Sequence, residues 1–451
     1  MPLEYILPAG MFLALFVLIF SGFPVAFVLG GIGVAFAGLG IYLDEIPASR
    51  LFLSAPRIWG SIGDNLIMVA VPMYIFMGNM LERSGIVKHL LEMLKYLLQN
   101  VRGGMAYMVV IMGTVLAATT GIVGASVIMT AVLALPMMME LKYSRPIAAG
   151  TIAASGTLGI IIPPSIMLVI MADMLSISVG DLFLGALLPG LLLPCVYLIF
   201  LWVYFRLRPD SVPQPTKTSD TLPLGQLLRL VTTGVLPPVF LIGAVLGSIF
   251  MGYATPTEAS GVGAVGAIVL AACNKSLNLR VLKEALQESA ITIGMIFMIF
   301  AGATIFAYIF RLLGGEQAII TLIETLNLSA WGLLIILLVA IFVMGFFFDW
   351  IEIALIIFPI FGPIIATLDF GTHVDSAHLL VWFAVLVAIN LQTSYLTPPF
   401  GFALFYLRSV APPEMRIHDI YRGIIPFVLL QLFVMVLALM FPALVLWLPF
   451  S

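Results

Sequence analysis

The sequence predicts an all-α integral membrane protein built from two oppositely oriented repeats, with about ten spans, two hairpin-like elements and two helices broken at mid-depth. Three observations predict it. The chain of 451 residues is 62% hydrophobic and 9% charged, against roughly 45–50% apolar and about 25% charged in soluble domains. Its apolar runs recur in the same order in both halves. Each half also carries one long apolar run interrupted by adjacent prolines, Pro163-Pro164 and Pro398-Pro399.

A bilayer core is crossed by about 20 apolar residues, and the chain divides on that basis. Residues 6–20 and 25–42 are two spans hinged at Ser21, Gly22, Phe23 and Pro24. Glu4 stands where a signal peptide carries Lys or Arg, and no small-residue cleavage site follows, so the first run reads as a retained span. Residues 44–64 form a polar connector with room for a short interfacial helix anchored by Trp59. A span at 66–81 precedes the amphipathic surface segment 84–100, which sets Lys88, His89, Glu92 and Lys95 among leucines. Two apolar arms at 104–139 surround Thr119 to Ser126, and hydropathy reads them equally well as two spans or as one hairpin. The interrupted run 147–175 and a span at 182–204 complete the half.

The second half repeats the plan. Spans at 228–250 and 258–272 lead into a charged amphipathic connector at 274–288 and a span at 291–310. Two more apolar arms surround Phe346 to Glu352, followed by the interrupted run 379–407, a polar turn and a last span at 424–448. Pro24 pairs with Pro256, Gly85 with Gly315, Pro163 with Pro398 and Pro189 with Pro426 at a nearly constant separation. This order of elements, rather than local identity, carries the duplication. The division is a first repeat at 1–205 (hairpin 104–140, broken helix 147–178), a Pro/Ser/Thr-rich cytoplasmic linker at 206–227 and an inverted second repeat at 228–451 (hairpin 330–368, broken helix 379–407).

Charge sets the orientation. Lys88, Lys95, Arg102, Lys142, Arg145, Arg206, Arg208, Arg229, Lys275, Arg280, Lys283, Arg408, Arg416 and Arg422 fall in connectors that the positive-inside rule assigns to the cytoplasm. The opposite connectors are mostly acidic or neutral, with Arg50 and Arg57 as exceptions. The sorting holds only if each half crosses an odd number of times, which inverts the second half. The net charge of −3 and the lack of basic-aromatic clusters point away from nucleic acid. The four histidines lie in connectors without metal-ligand spacing, and the two cysteines imply neither a disulfide framework nor a metal cluster. No phosphate-cradling loop and no enzyme signature is present, so an ion gradient is the simpler driving force.

The interruptions carry the chemistry. Adjacent prolines remove two amide donors and clash with the preceding turn, so the helix must break. In hydrocarbon the freed backbone groups need protein, water or ligand as partners. Gly159 to Ser165 and Leu396 to Gly401 are therefore candidate binding segments, although a bare proline kink is the structural alternative. Thr119, Thr120 and Gly121, with Gly124, Ala125 and Ser126, offer hydroxyls and carbonyls that suit Na⁺, and suit close helix packing equally well. Asp349 and Glu352 stand in an apolar arm, where a carboxylate costs about 2.5–3.5 kcal/mol at mid-bilayer unless a cation, partner or water meets it; an interfacial place beside Trp350 is the alternative. Glu258 reads as a helix N-terminal carboxylate, and Asp173 as interfacial.

At these residues the chain resembles the large membrane subunit of TRAP (tripartite ATP-independent periplasmic) transporters over nearly its whole length. The likeness is carried by Gly150 to Ile166, Leu182 to Gly190, Gly252 to Ala259 and Leu396 to Gly401. It implies an inverted-repeat transporter of the elevator type, similar to the ion-transporter superfamily, with re-entrant hairpins around Thr119 to Ser126 and Phe346 to Ile353. Each hairpin tip would meet the broken helix of its own repeat. One Na⁺ would be held by Thr119, Thr120, Gly121, Ser126, Gly159, Pro163 and Ser165, and a second by Gly345, Asp349, Thr393, Thr397 and Gly401. Substrate would lie against Pro164, Ser165, Thr397 and Pro398. The resemblance further implies no cofactor beyond Na⁺ as coupling ion, a bacterial inner-membrane location, a small four-span membrane subunit, and a periplasmic substrate-binding protein delivering an organic acid. The segment Phe348 to Glu352 is bulkier and more acidic than the family's aspartate-proline-small pattern, and Gln392 to Tyr395 replaces a smoother apolar lead-in. A standalone proton- or sodium-coupled secondary permease is the competing reading. A membrane-embedded enzyme is a more distant one, since it would need a nucleophile–base pair.

Overall fold

The structure, a computed structural model, describes residues 3–121, 123–212, 225, 232, 234–399 and 401–450. Every regular element among the described residues is helical. The first half runs α1 (Leu3–Ile19), α2 (Val25–Tyr42), α3 (Ser54–Ile62), α4 (Ala70–Arg83), α5 (Ile86–Leu98), α6 (Gly104–Thr120), α7 (Val123–Glu140), α8 (Arg145–Gly156), α9 (Ile166–Leu175) and α10 (Val179–Leu207). The second runs α11 (Leu236–Phe250), α12 (Pro256–Cys273), α13 (Leu279–Leu312), α14 (Gly315–Thr325), α15 (Ala330–Met344), α16 (Trp350–Ala366), α17 (Leu379–Leu396), α18 (Phe402–Val410), α19 (Ile417–Met440) and α20 (Ala443–Leu446). Eight helices of the described residues are long and apolar enough to cross a membrane. The expected linker lies mostly outside the described residues, as does much of 228–235.

Helix starts are set by local chemistry. Ser178, Thr255, Asn278 and Ser329 accept hydrogen bonds from the first-turn amides of α10, α12, α13 and α15. Glu258 closes a capping box with Thr255, so its carboxylate serves the helix start. Gly85 and Gly314 both adopt the left-handed conformation, φ 76° and 80°, immediately before α5 and α14. The repeat landmark is therefore Gly314 rather than Gly315, because the turn needs positive φ at the residue before the helix.

One expected boundary is absent. The connector from Leu279 onward and the span at 291–310 form one continuous helix of 34 residues, about 51 Å long and well beyond the roughly 30 Å apolar layer. Between Leu279 and Ile293 the chain has no Gly or Pro to stop it. Its polar first turns are tied to α4 through Arg83, which pairs with Glu284 and Glu288, and through Asn79, which donates to Ser289 at 2.9 Å.

Packing is reciprocal between the halves. The second span of each half lies along the third span of the other, α2 on α13 and α12 on α4. Small residues make this possible: a Cβ on Gly302 would stand 2.3 Å from the Ala26 carbonyl oxygen, and one on Gly33 would stand 3.2 Å from the Phe306 nitrogen. The other group contains both hairpins and both broken helices. The second hairpin arm α7 packs on α18, and its counterpart α16 packs on α9. Contacts of α4 with α6 and α9, and of α13 with α16, join the two groups.

Candidate functional site

In the first half, α8 passes into a tight turn at Thr157–Ile160 and the chain stays non-helical until Ile166. Every residue from Gly156 to Ser165 is buried. Ser165 Oγ donates to the Ile160 carbonyl at 2.8 Å, tying the break across itself. The carbonyls of Gly159, Ile161, Ile162 and Pro163 accept no backbone hydrogen bond from any described residue. Two prolines cannot donate, so these buried oxygens are left without a backbone partner, the Ile161 carbonyl lying against Gly190 of α10.

The hairpin α6–α7 clasps this break. Its tip residue Gly121 has φ 60°, and a Cβ there would stand 3.4 Å from the Ile166 nitrogen, directly after Ser165. Gly159 approaches the Ala117 carbonyl on one arm, where a Cβ would stand 3.4 Å away, and Gly156 approaches Val127 on the other. Ser126, fully buried, neighbours Val127. Gly121 thus meets Ile166 beside Ser165, and Gly159 and Gly156 meet Ala117 and Val127 on the two arms. The side chains of Thr119 and Thr120 lie outside the described residues, as does Ile122.

The second half builds the same element with different side chains. α17 ends at Thr397, Pro398 and Pro399, and α18 begins after Gly401, whose φ is 43°. Like Pro163-Pro164, Pro398-Pro399 is a cis peptide. Asn390 Nδ2 donates to the Leu338 carbonyl at 2.6 Å, and Ser394 Oγ donates to the Phe342 carbonyl at 2.7 Å. A Cβ on Gly345 would stand 2.8 Å from that of Ser394, so the hairpin α15–α16 docks on α17 at its tip. Thr393 and Thr397 donate back to the Ile389 and Thr393 carbonyls, both at 2.8 Å. Pro398 is half-buried and Pro399 exposed, its carbonyl accepting from the Tyr421 hydroxyl at 3.1 Å.

Glu352 and the Trp350 beside Asp349 are packed inside the protein. Trp350 is 6% exposed and Glu352 8%. Asp349 and Glu352 form a capping box: Asp349 Oδ1 accepts from the Trp350 amide at 2.8 Å, and Glu352 Oε2 accepts from the Asp349 amide at 3.1 Å. The Tyr395 hydroxyl also donates to Asp349 Oδ1, at 2.8 Å, locking the hairpin tip to the end of α17. The signal was present as an acidic residue followed three positions later by Glu before an apolar run. Removing the cap with Asp349→Ala is expected to lower stability by about 1 kcal/mol, whereas Asp349→Asn, an equally good cap, should hold it. Thermal aggregation of the detergent-purified variants checks this.

The two sites interlock. A Cβ on Gly124, in the first hairpin, would stand 2.8 Å from the ring of Tyr406 on α18. Asn390, Ser394, Tyr395 and Tyr406 were not among the expected site residues, because their roles arise only when distant segments meet.

The chain matches the family model described as "Tripartite ATP-independent periplasmic transporter, DctM component" over residues 12–444. It is 29% identical to the C4-dicarboxylate TRAP transporter large permease protein DctM of Pseudomonas aeruginosa, covering 86% of this chain and 87% of that one. It is 27% identical to the sialic acid TRAP transporter large permease protein SiaM of Vibrio cholerae, covering 96% of each. The ectoine TRAP transporter large permease protein TeaC of Halomonas elongata is 26% identical, covering 84% of this chain and 86% of that protein. The crystal structure of the YdaH transporter of Alcanivorax borkumensis shares the fold at TM-score 0.61 and 12% identity, covering 87% of this chain and 89% of that one. Broken helices clasped by hairpins, and a family match spanning nearly the whole sequence, lead to one conclusion: the chain belongs to the DctM family of TRAP transporter large permease subunits.

Proposed function

We propose that this chain is the large permease subunit of a Na⁺-coupled TRAP importer that takes up an organic acid across the bacterial inner membrane. The supporting observation is the set of buried carbonyls of Gly159, Ile161, Ile162 and Pro163, which accept no backbone hydrogen bond from any described residue, beside Ser165 and a glycine-tipped hairpin. Oxygens from backbone and hydroxyl groups suit a hard monovalent cation. The first Na⁺ would lie between Gly121, Ser126 and the break. The second would lie between Gly345, Asp349 and Thr393 to Gly401, where Asp349 adds a carboxylate already oriented by Tyr395.

Substrate would sit between the breaks, against Pro164, Ser165, Thr397 and Pro398. The relatives named for C4-dicarboxylates, sialic acid and ectoine handle molecules that share a carboxyl group, which supports an organic acid here. The packing supports an elevator movement in which α6–α10 and α15–α19 move against a scaffold of α1–α4 and α11–α13. Ten spans would then comprise α1, α2, α4, α10 to α13 and α19, together with the two broken helices. A small membrane subunit and a periplasmic binding protein would complete the system.

Reconstitution tests the reading. Proteoliposomes holding this chain and the small subunit, supplied with the loaded binding protein, should accumulate the acid only under an inward Na⁺ gradient. Accumulation by this chain alone, or without Na⁺, would instead identify a standalone or proton-coupled permease.

A further inference from the structure

Away from the breaks, a cavity of about 230 Å³ opens between the scaffold and the moving group. Its scaffold wall carries Arg57 and Ser61 from α3, and Thr304, Tyr308 and Arg311 from α13. The facing wall is the end of α9, with Asp173, and the α16 segment holding Pro359. The volume is several times the roughly 30 Å³ that a water molecule occupies in the liquid. The cavity therefore has room for a small solute with water.

Its charge is unusual for its place. By the positive-inside rule this end of the molecule is the non-cytoplasmic one, where arginine is disfavoured. Two guanidiniums nevertheless line one cleft. Arg57 lies over the Tyr308 ring at 4.3 Å, which fixes the guanidinium without consuming its charge. No carboxylate stands within ion-pairing distance of it among the described residues. Arg311 donates to the Pro359 carbonyl and keeps only a 4.0 Å contact with Glu316. Asp173, the acidic group on the opposite wall, is engaged by Asn65 Nδ2 at 2.7 Å. Ser61 Oγ and Thr304 Oγ1, 3.2 Å apart, add hydroxyls to the same wall.

We propose that Arg57 and Arg311 form an entry site for the carboxylate of the transported acid, receiving it on the non-cytoplasmic side before it reaches the breaks. A guanidinium matches a carboxylate bidentately, and a cleft lined by two guanidiniums against one carboxylate already engaged by Asn65 favours an anion. Neither break contains Lys or Arg, so this cleft supplies the cationic charge the deeper site lacks. The inference rests on the reading that the cargo is an organic acid, and not on the coupling ion.

The test measures charge selectivity rather than transport. With Cys195 and Cys273, both exposed, replaced by serine, Ser61→Cys places one thiol in the cleft of the full chain in proteoliposomes. A negatively charged methanethiosulfonate should modify it faster than a positively charged one. Arg57→Gln with Arg311→Gln should lower that rate ratio roughly tenfold. Succinate or N-acetylneuraminate, but not glucose, should slow the reaction, and the Arg→Lys pair should restore part of the preference. Thr304→Cys, on the same wall, repeats the measurement should Ser61→Cys fail to fold. No charge preference, a preference that survives in the glutamine pair, or protection by neither acid overturns the proposal. Charge-selective, acid-protected labelling in a protein whose uptake ignores Na⁺ would leave the entry site standing and remove the Na⁺ coupling alone.

Discussion

Leucine in place of Ser165 is expected to cut Na⁺-driven uptake by roughly 100-fold or more, equivalent to about 2.7 kcal/mol, while the protein remains in the membrane. Ser165 is fully buried, and its hydroxyl hydrogen is committed to the Ile160 carbonyl. Its lone pairs are what remain for a cation. Leucine removes that oxygen and adds bulk where the Gly121 tip rests on Ile166, and overpacking of this kind costs about 1–3 kcal/mol. Alanine separates the two effects, since it strands the Ile160 carbonyl without pressing on the hairpin, and its defect should appear mainly as a higher Na⁺ concentration for half-maximal uptake. Thr397→Leu should behave like Ser165→Leu, and Thr397→Ser, which keeps the bond to the Thr393 carbonyl, should be nearly silent. Initial uptake rates across a Na⁺ series, with membrane yield as control, measure all four. Unchanged rates in both leucine variants would sink the site assignment.

The breaks were legible because their cause is local. A proline pair stops a helix whatever surrounds it, and glycine and hydroxyl-rich residues mark a turn between apolar arms. Gly121, Gly159 and Ser165 could therefore be named from the sequence alone. Other features needed the tertiary structure. The Gln392 to Tyr395 segment looked like a departure from an apolar lead-in, yet Ser394 and Tyr395 are the stitches that hold the second hairpin. Nothing local says that Tyr395 will meet Asp349, 46 positions away. The long α13 shows the reverse error: polarity changes along it from amphipathic to apolar, but a change of environment is not a change of backbone. Arg57 stood out only as an exception to a charge rule, and its pairing with Arg311 around one cavity emerged from packing.

Alanine at Gly423 should be among the most damaging single-methyl changes in the protein. The first half of the first broken helix, α8, lies along α19, and the crossing point is backbone against backbone. A Cβ on Gly423 would stand 1.9 Å from the Pro146 carbonyl oxygen, and one on Gly150 would stand 2.1 Å from the Gly423 carbonyl oxygen. A flexible side chain could swing aside; a carbonyl in a helix cannot, so the helices must part by more than an ångström. That forfeits dispersion along the whole crossing, where close approach of small residues is the main attraction between helices in lipid. A loss of about 2–3 kcal/mol is expected for Gly423→Ala, at the upper end of ordinary overpacking. Gly31→Ala and Gly261→Ala, where a Cβ meets nothing within 4 Å, should be neutral and serve as controls. Because Gly150→Ala and Gly423→Ala are relieved by the same separation, the double variant should lose less than the two singles together, and thermal aggregation of all three measures that coupling. α8 leads straight into Thr157–Ile160, so any displacement of it also moves the carbonyls beside Ser165. Uptake in Gly423→Ala should accordingly fall further than its folded fraction does. Proportional loss would mean that the crossing holds the fold without setting the geometry of the break.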